Sequence, residues 1–284
     1  MKRLLASPAA LFVAVLCLLL LVVSLKPYLR ASTELVRLRN ALVFEAGATD
    51  GFNWTPDQLP KGYATDSRVA PGLFDQVLAS LPAKMSASDW DRALLIATHL
   101  VRHAKYRNAA QSDLAGTYRK ILAGSGYCAD YTTVFIAIAR SAGVFAREWA
   151  FSFDAYGGYG HALVEVFDRQ SGQWRMLDVF NNFYVEDTAT GRPMFALSFR
   201  EHLAAGTGAP KIHRIGEGRF GFADENELFT YYRRGADQWY LWWGNAVYDY
   251  DASVATRLGE VSRAAEQLAA IALVPRRMSF DRSC

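Results

Sequence analysis

The length, composition and charge of the chain indicate a folded protein and exclude several classes of function. The chain has 284 residues, of which 51% are hydrophobic and 13% aromatic, far from the polar, highly charged composition of disordered segments. Its net charge of +3 comes from 31 basic and 28 acidic residues spread along the sequence, without the basic stripe that follows a phosphate backbone. We therefore expect one folded domain with extensions, and no nucleic-acid partner.

The N-terminal segment has the length and composition of a membrane anchor. No charged residue lies between Leu4 and Leu25, and about 20 apolar residues are needed to cross the hydrocarbon core of a bilayer. A cleaved signal peptide usually has an apolar region of about 7–15 residues that ends at small residues, whereas this run ends in Leu25-Lys26-Pro27-Tyr28. The segment therefore predicts an uncleaved, single-pass transmembrane helix that contacts the lipid of the plasma (inner) membrane.

The orientation of this anchor does not follow from charge, because basic residues stand on both sides of it. They are Lys2 and Arg3 before the apolar run, and Lys26, Arg30, Arg37 and Arg39 after it. An N-terminal signal-anchor usually sends the following large domain across the membrane. We therefore expect the folded domain on the extracytoplasmic, periplasmic side.

Four segments are predicted along the chain. Residues 1–30 form the anchor, and residues 31–87 form a linker and helical lead-in that includes a loop rich in Gly, Pro, Asp and Thr. Residues 88–195 form the core of the domain. Residues 196–284 form a C-terminal extension, aromatic-rich and ending in an amphipathic helix from about Ser253 to about Leu273.

The elements predicted within the core are helices followed by strands. One helix runs from about Asp89 to about Tyr106 after an N-cap at Ser88. A second, mostly buried helix follows the Gly/Ser turn before Cys128 and ends at Gly143, which suits the C′ position. The strands are short and rich in aromatic and β-branched residues, at Phe145–Phe153, His161–Phe167 and Trp174–Val179. Helices followed by antiparallel strands predict an α+β domain.

The C-terminal extension contains an aromatic stretch from Phe229 to Tyr250. Its densest part, Trp239-Tyr240-Leu241-Trp242-Trp243, admits two interpretations. The rings could line a groove for carbohydrate or peptide, or they could pack against the back of the domain. We favour packing.

Cys128, His161 and Asp178 have the residue types and spacing of a cysteine active site. A thiol attacks carbonyl carbon as thiolate, and a helix N-terminus favours that form because its unpaired N–H groups stabilise negative charge. An imidazole then takes and returns the proton, while a carboxylate holds the ring in the required tautomer. If the strands that carry His161 and Asp178 pair as a hairpin, the start of the first lies beside the end of the second. The sequence therefore predicts contact between these two side chains.

Three motifs in this region, and the link that follows the first of them, resemble those of the transglutaminase-like superfamily and occur in the right order. Gly126–Thr132, read as G-Y-C-A-D-Y-T, is similar to the cysteine motif, and Ala142–Arg147 to the link that precedes the first strand. His161–Val166, read as H-A-L-V-E-V, resembles H-A-W-V-E-V, and Trp174–Asp178 resembles W-x-x-x-D. The resemblance covers residues 89–183 and is closest to a membrane-anchored bacterial type.

The resemblance implies a papain-like fold in which a buried helix carries the cysteine and an antiparallel sheet carries the histidine and aspartate. It also implies that Tyr106, about one helix upstream, helps the backbone N–H of Cys128 to stabilise an oxyanion. Two positions depart from the family pattern. Leu163 replaces the usual tryptophan, and Val179-Phe180 replace the usual Pro-Thr after the aspartate. Neither departure removes a reacting group, and both reshape the groove.

Other chemistry fits the sequence poorly. Cys17 lies in the apolar run and Cys284 is the last residue, so the cysteines provide neither a disulfide framework nor a zinc site. His99 and His103 share a helix face without the glutamate of a zinc-protease motif. Gly124–Ala129 matches a loose dinucleotide fingerprint but follows a helix rather than a strand. We predict no cofactor and no metal.

The sequence therefore predicts a membrane-anchored cysteine enzyme that attacks an amide or ester through a thioester at Cys128. The resembling family includes proteases and amidases as well as transferases that pass the acyl group to an amine, so hydrolysis and transfer both stay open. The expected partner is a peptide or protein amide. Two other hypotheses stay open, a non-catalytic membrane-tethered binding or scaffold protein of the cell envelope, and an accessory protein of envelope or polysaccharide assembly.

Overall fold

The structure, a computed structural model, describes residues 11–18, 45–49, 51–63, 65, 72–81, 88–103, 113–153, 160–206, 210–244 and 277–281. Residues 11–18 are helical, with exposed apolar side chains. The other residues of the predicted anchor lie outside the described part, as do Tyr106 and the predicted helix from Ser253 to Leu273. Within the described part, no helix is both long and apolar enough to cross a bilayer.

The helices between residues 75 and 141 pack on one face of the larger sheet, and those between residues 196 and 234 lie on the other. The first group is α1 (Asp75–Ser80), α2 (Asp89–Val101), α3 (Leu114–Leu122) and α4 (Cys128–Ser141). The second group is α5 (Ala196–Ala205) and α6 (Glu225–Arg234), followed by a 3₁₀ turn at Ala236–Gln238. The predicted cap of α2 is present, since Ser88 Oγ accepts from the Asp91 N–H at 3.1 Å.

Two sheets form the rest of the described fold. The larger has the order β1-β9-β8-β2-β3-β4 and is antiparallel except where β1 pairs with β9. The smaller has the order β6-β5-β7. The bounds are β1 (Glu45–Thr49), β2 (Ala146–Ser152), β3 (Gly160–Asp168), β4 (Gln173–Leu177), β5 (Phe183–Asp187), β6 (Arg192–Pro193), β7 (Lys211–Arg214), β8 (Trp239–Trp242) and β9 (Arg277–Asp281).

The core has two halves because alternate side chains of a strand point to opposite faces of the sheet. Val164 and Val166 of β3 join the buried residues of α2 and α4 on one face. On the other face, Trp149 and Leu163 join an aromatic cluster that includes Tyr232, Trp239, Leu241 and Trp243. Trp239, Tyr240, Leu241, Trp242 and Trp243 are all buried. Trp239, Leu241 and Trp243 pack behind the sheet, as we favoured, whereas Tyr240 and Trp242 pack with Ala150 and Ala162 beside Cys128.

The arrangement is α+β, as predicted, and it aligns the elements that carry the candidate residues. Strands β2, β3 and β4 lie within two residues of their predicted bounds, and α4 begins at Cys128. Antiparallel pairing places Val164 opposite Leu177. The beginning of β3 and the end of β4 therefore lie side by side, at the same end of the strands.

Candidate active site

Cys128 is the first residue of α4, where the helix leaves N–H groups without helical partners. Gly126 prepares this position with φ 123°, and a Cβ there would come within 3.0 Å of the Tyr131 ring. The Asp130 carboxylate accepts from the Tyr127 N–H at 2.9 Å, which closes the first turn. Cys128 is a free, partly exposed thiol that packs against the buried side chains of Ala150, Ala162, Tyr240 and Trp242.

His161 follows Gly160, a position that tolerates no side chain because a Cβ there would lie 1.7 Å from the Phe151 carbonyl oxygen. The imidazole is buried, and its Nε2 lies 2.5 Å from Asp178 Oδ2. Cys128 also lies close to the ring, since its charge and a side-chain hydrogen bond both act on the imidazole. Nε2 is occupied by Asp178, so Nδ1 is the nitrogen left for the sulfur.

The environment of His161 favours its charged form. Burial lowers the pKa of the imidazole, but the charges of Asp178 and Cys128 and the hydrogen bonds with both side chains outweigh burial and raise the pKa to about 10. The ring therefore carries a proton at neutral pH. This positive charge lies beside the Cys128 sulfur and the Asp178 carboxyl group.

Asp178 lies directly after β4 and is fully buried. Its backbone forms a bridge to Phe183, which closes a turn over residues 178–183. The carboxylate accepts hydrogen bonds from four groups, namely His161 Nε2, the Asn181 N–H at 2.8 Å, Asn181 Nδ2 at 3.0 Å and the Tyr232 hydroxyl. These bonds satisfy a buried charge that would otherwise be costly.

The structure thus brings together Cys128, His161 and Asp178, while Tyr106 lies outside the described residues. Sequence reasoning missed Asn181 and Tyr232. The turn after Asp178 offered a weak signal for Asn181, because Asp side chains commonly bond backbone groups a few residues on. For Tyr232 the sequence contains no such signal, because the Asp224-x-x-Glu227 pattern predicts only that a helix begins there. The contact between Tyr232 and Asp178 joins residues that are 54 positions apart.

The two departures from the family pattern lie close to the site. Leu163 is fully buried in the aromatic cluster. Phe180 is half-buried, and its ring centroid lies 6.0 Å from that of His161 and 5.6 Å from that of Tyr131. Phe180 thus forms part of the apolar wall around the imidazole.

A surface cavity of about 380 Å³ lies away from these residues, between β4 and the β5–β6 turn. It is lined by residues that include Trp174, Arg192 and Phe195, and by none of the three candidate residues. Among the described residues, no group of three or more His, Cys, Asp and Glu side chains has the geometry to hold a metal ion.

Comparison with known proteins gives one result. Residues 78–179 match the family model described as the transglutaminase-like superfamily. The match covers a little over a third of the chain and includes Cys128, His161 and Asp178, so the resemblance seen in the motifs is confirmed. No curated protein matches the chain, and no solved structure does.

Proposed function

This chain carries a domain of the transglutaminase-like superfamily, and on that basis we propose that it is a cysteine enzyme that attacks an amide or ester carbonyl through Cys128. Such domains are typically cysteine hydrolases or acyltransferases. One observation carries the proposal: the His161 imidazole lies between the Cys128 thiol and the Asp178 carboxylate, with 2.5 Å between Nε2 and Oδ2. A scaffold that had kept only the fold would not need this arrangement.

The proposed reaction uses Cys128 as the nucleophile and His161 as the proton donor and acceptor. The Cys128 thiolate attacks the carbonyl carbon and forms a carbon–sulfur bond, while the N–H groups at the start of α4 stabilise the oxyanion. The carbon–nitrogen or carbon–oxygen bond then breaks, and His161 gives its Nδ1 proton to the leaving group. Next, water or an amine attacks the thioester and loses a proton to His161, which releases the acyl product and restores the thiolate.

Asp178 takes up no proton from the reacting groups in these steps. Its bond to Nε2 holds the ring so that Nδ1 faces the sulfur, and its charge stabilises the imidazolium. The substrate class is a peptide or protein amide, with hydrolysis or transfer to an amine as the second half of the reaction. The half-buried aromatic rings beside His161, those of Phe180 and Tyr231, fit an apolar group near the scissile bond.

The first test is the pH dependence of Cys128 alkylation. We expect iodoacetamide to react with Cys128 at a nearly constant rate between pH 5 and pH 8, because the His161 pKa of about 10 keeps the imidazolium in place over that range. An ordinary thiol, with a pKa of about 8.5, slows about tenfold for each unit below that value. N-acetylcysteine provides the reference, and peptide mass spectrometry separates Cys128 from Cys17 and Cys284. A Cys128 profile that follows N-acetylcysteine would refute the proposal.

We also propose that the N-terminal segment anchors the enzyme in the plasma membrane, with the domain on the periplasmic side. The support is the uncharged run from Leu4 to Leu25, together with the exposed apolar side chains of the helical residues 11–18, such as Phe12 at 69% exposure. A helix with such a surface is stable in lipid rather than in water.

Fractionation tests the anchor. We expect the full chain to stay in the membrane pellet after a carbonate wash, and a variant that lacks residues 1–30 to be released. External protease should digest the domain in spheroplasts but leave it whole in intact cells. Recovery of the full chain in the soluble fraction would contradict the anchor, and protection in spheroplasts would contradict the orientation.

A further inference from the structure

The Asp178 carboxylate is held by two side chains that neither the motifs nor the matched segment include. Asn181 Nδ2 lies 3.0 Å from Asp178 Oδ2 and 3.2 Å from the Tyr232 hydroxyl oxygen, and that hydroxyl itself donates to Asp178 Oδ2. His161, Asp178, Asn181 and Tyr232 are all buried, at 5% exposure or less. Water is thus excluded from this network, so each bond has a large effect on the geometry.

Tyr232 reaches the network from α6, more than 50 residues beyond the end of the family match. Its ring packs between Phe151, Phe183 and Phe199, with centroids 5.2–5.5 Å apart. This packing fixes the hydroxyl in place. Burial and the neighbouring Asp178 raise the pKa of Tyr232 well above its usual value, so the hydroxyl remains a donor at all pH values used below.

Asn181 is fixed from the opposite side by the loop before α6. A Cβ added at Gly221 would lie 2.1 Å from Asn181 Oδ1, so only glycine allows this approach. The Asn181 N–H also donates to Asp178 Oδ1 at 2.8 Å. The amide is therefore held against the carboxylate and the Tyr232 hydroxyl.

We infer that Tyr232 and Asn181 are positioning residues, which hold the Asp178 carboxylate in the rotamer that keeps His161 turned toward Cys128. The inference rests on the proposed function. Without these two side chains, Oδ2 would bond only to His161, because the Asn181 N–H holds Oδ1. With them, Oδ2 is also held by two donors that do not move with the ring. The C-terminal part of the chain, which supplies Tyr232, then completes the active site.

The charges of Cys128 and His161 also depend on the titratable side chains around them. Cys128 comes from α4, His161 from β3 and Asp178 from the end of β4, while Tyr231 and Tyr232 face them from α6. Arg234, also of α6, acts on Tyr231. Because the tyrosines stay neutral, a change in the pH profile between pH 5 and pH 9 reports on the pair of Cys128 and His161.

The test is the pH profile of Cys128 alkylation in full-length Tyr232→Phe. We expect the rate at pH 6 to fall roughly tenfold, the effect of losing one hydrogen bond to a charged group. Near pH 9 the rate should approach that of the wild type, because any thiol is largely ionised there. Tyr184→Phe is the matched control, since Tyr184 is half-buried, lies in β5 and keeps its ring stacked on His213 with 4.9 Å between the ring centroids. The pH profile of Cys128 alkylation in this variant should match that of the wild type.

The outcomes separate the inference from the proposed function. A wild-type profile with the shape of an ordinary thiol overturns both. An activated wild-type profile that Tyr232→Phe leaves unchanged, or lowers equally at every pH together with the unfolding temperature, overturns only the inference. If Tyr232→Phe does not fold, Gly221→Ala replaces it, because the added methyl group pushes the Asn181 amide away from Asp178. We expect the same roughly tenfold loss of the alkylation rate at pH 6. An unchanged pH profile would refute the positioning role.

Discussion

His161→Gln is expected to lower the rate of acetyl transfer from p-nitrophenyl acetate to Cys128 by roughly 10²–10⁴-fold, the usual contribution of general acid–base catalysis. Glutamine can still bond Asp178, so the buried carboxylate keeps a partner and the fold is preserved. The thiol loses its cation and its proton acceptor. Its reactivity should therefore rise steeply with pH up to about 8.5, as for an ordinary thiol, in place of the flat wild-type profile.

The release of p-nitrophenolate, followed in the first turnover, measures this effect, and mass spectrometry locates the acetyl group. His213→Gln is the control, because His213 is a partly exposed histidine paired with Glu186 at 3.1 Å in the smaller sheet. Acetyl transfer to Cys128 in His213→Gln should proceed at the wild-type rate. Equal rates in the wild type and His161→Gln would remove His161 from the chemistry.

Local patterns in the sequence were sufficient to predict the meeting of His161 and Asp178. Two short runs of β-branched and aromatic residues, separated by Asp168–Gly172, indicate an antiparallel hairpin, and antiparallel pairing joins the start of one strand to the end of the other. The observed register has this form, with Val164 opposite Leu177. A glycine at 126 and one at 143 likewise bound a helix that begins at Cys128, as the spacing indicates.

The parts of the site that sequence did not predict depend on contacts distant along the chain. Tyr232 meets Asp178 because α6 packs across the face of β2 and β5, and no pattern within α6 specifies which strand it covers. Asn181 is held by Gly221, 40 residues away, in a loop without regular structure. Tertiary packing determines both positions, and periodicity reports only which face of an element is buried.

The pair of Arg147 and Glu165 shows why two further motif residues matter. They face each other in the register of β2 and β3, and both are buried. Glu165 Oε2 accepts from Arg147 Nε at 2.7 Å and from Trp149 Nε1 at 2.6 Å, while Oε1 accepts from the Ala196 N–H at 2.6 Å. The carboxylate thus connects β2 and β3 to the beginning of α5.

The Arg147 guanidinium is buried, so water cannot take the place of this partner. It donates to the Phe52 carbonyl at 2.7 Å and lies over the Trp174 ring at 3.6 Å and the Trp54 ring at 4.6 Å. Removing the carboxylate leaves a buried cation that only dipoles and aromatic rings stabilise. Breaking a buried ion pair from one side typically costs about 3–5 kcal/mol.

We therefore expect Glu165→Gln to lower the free energy of unfolding by about 3–5 kcal/mol, measured by urea denaturation followed by tryptophan fluorescence. Glutamine keeps the shape and one acceptor, so the loss reports mainly on the missing charge. Lys211→Gln is the control, because its ion pair with Glu186 is long, at 3.7 Å, and exposed on the lysine side, and it should leave the urea midpoint nearly unchanged. At urea concentrations below the unfolding midpoint of Glu165→Gln, iodoacetamide should still alkylate Cys128 of this variant at a rate that is nearly independent of pH. The reason is that the ion pair supports the sheet without touching the reacting groups. A small loss of stability with a changed profile would instead assign Glu165 to the site.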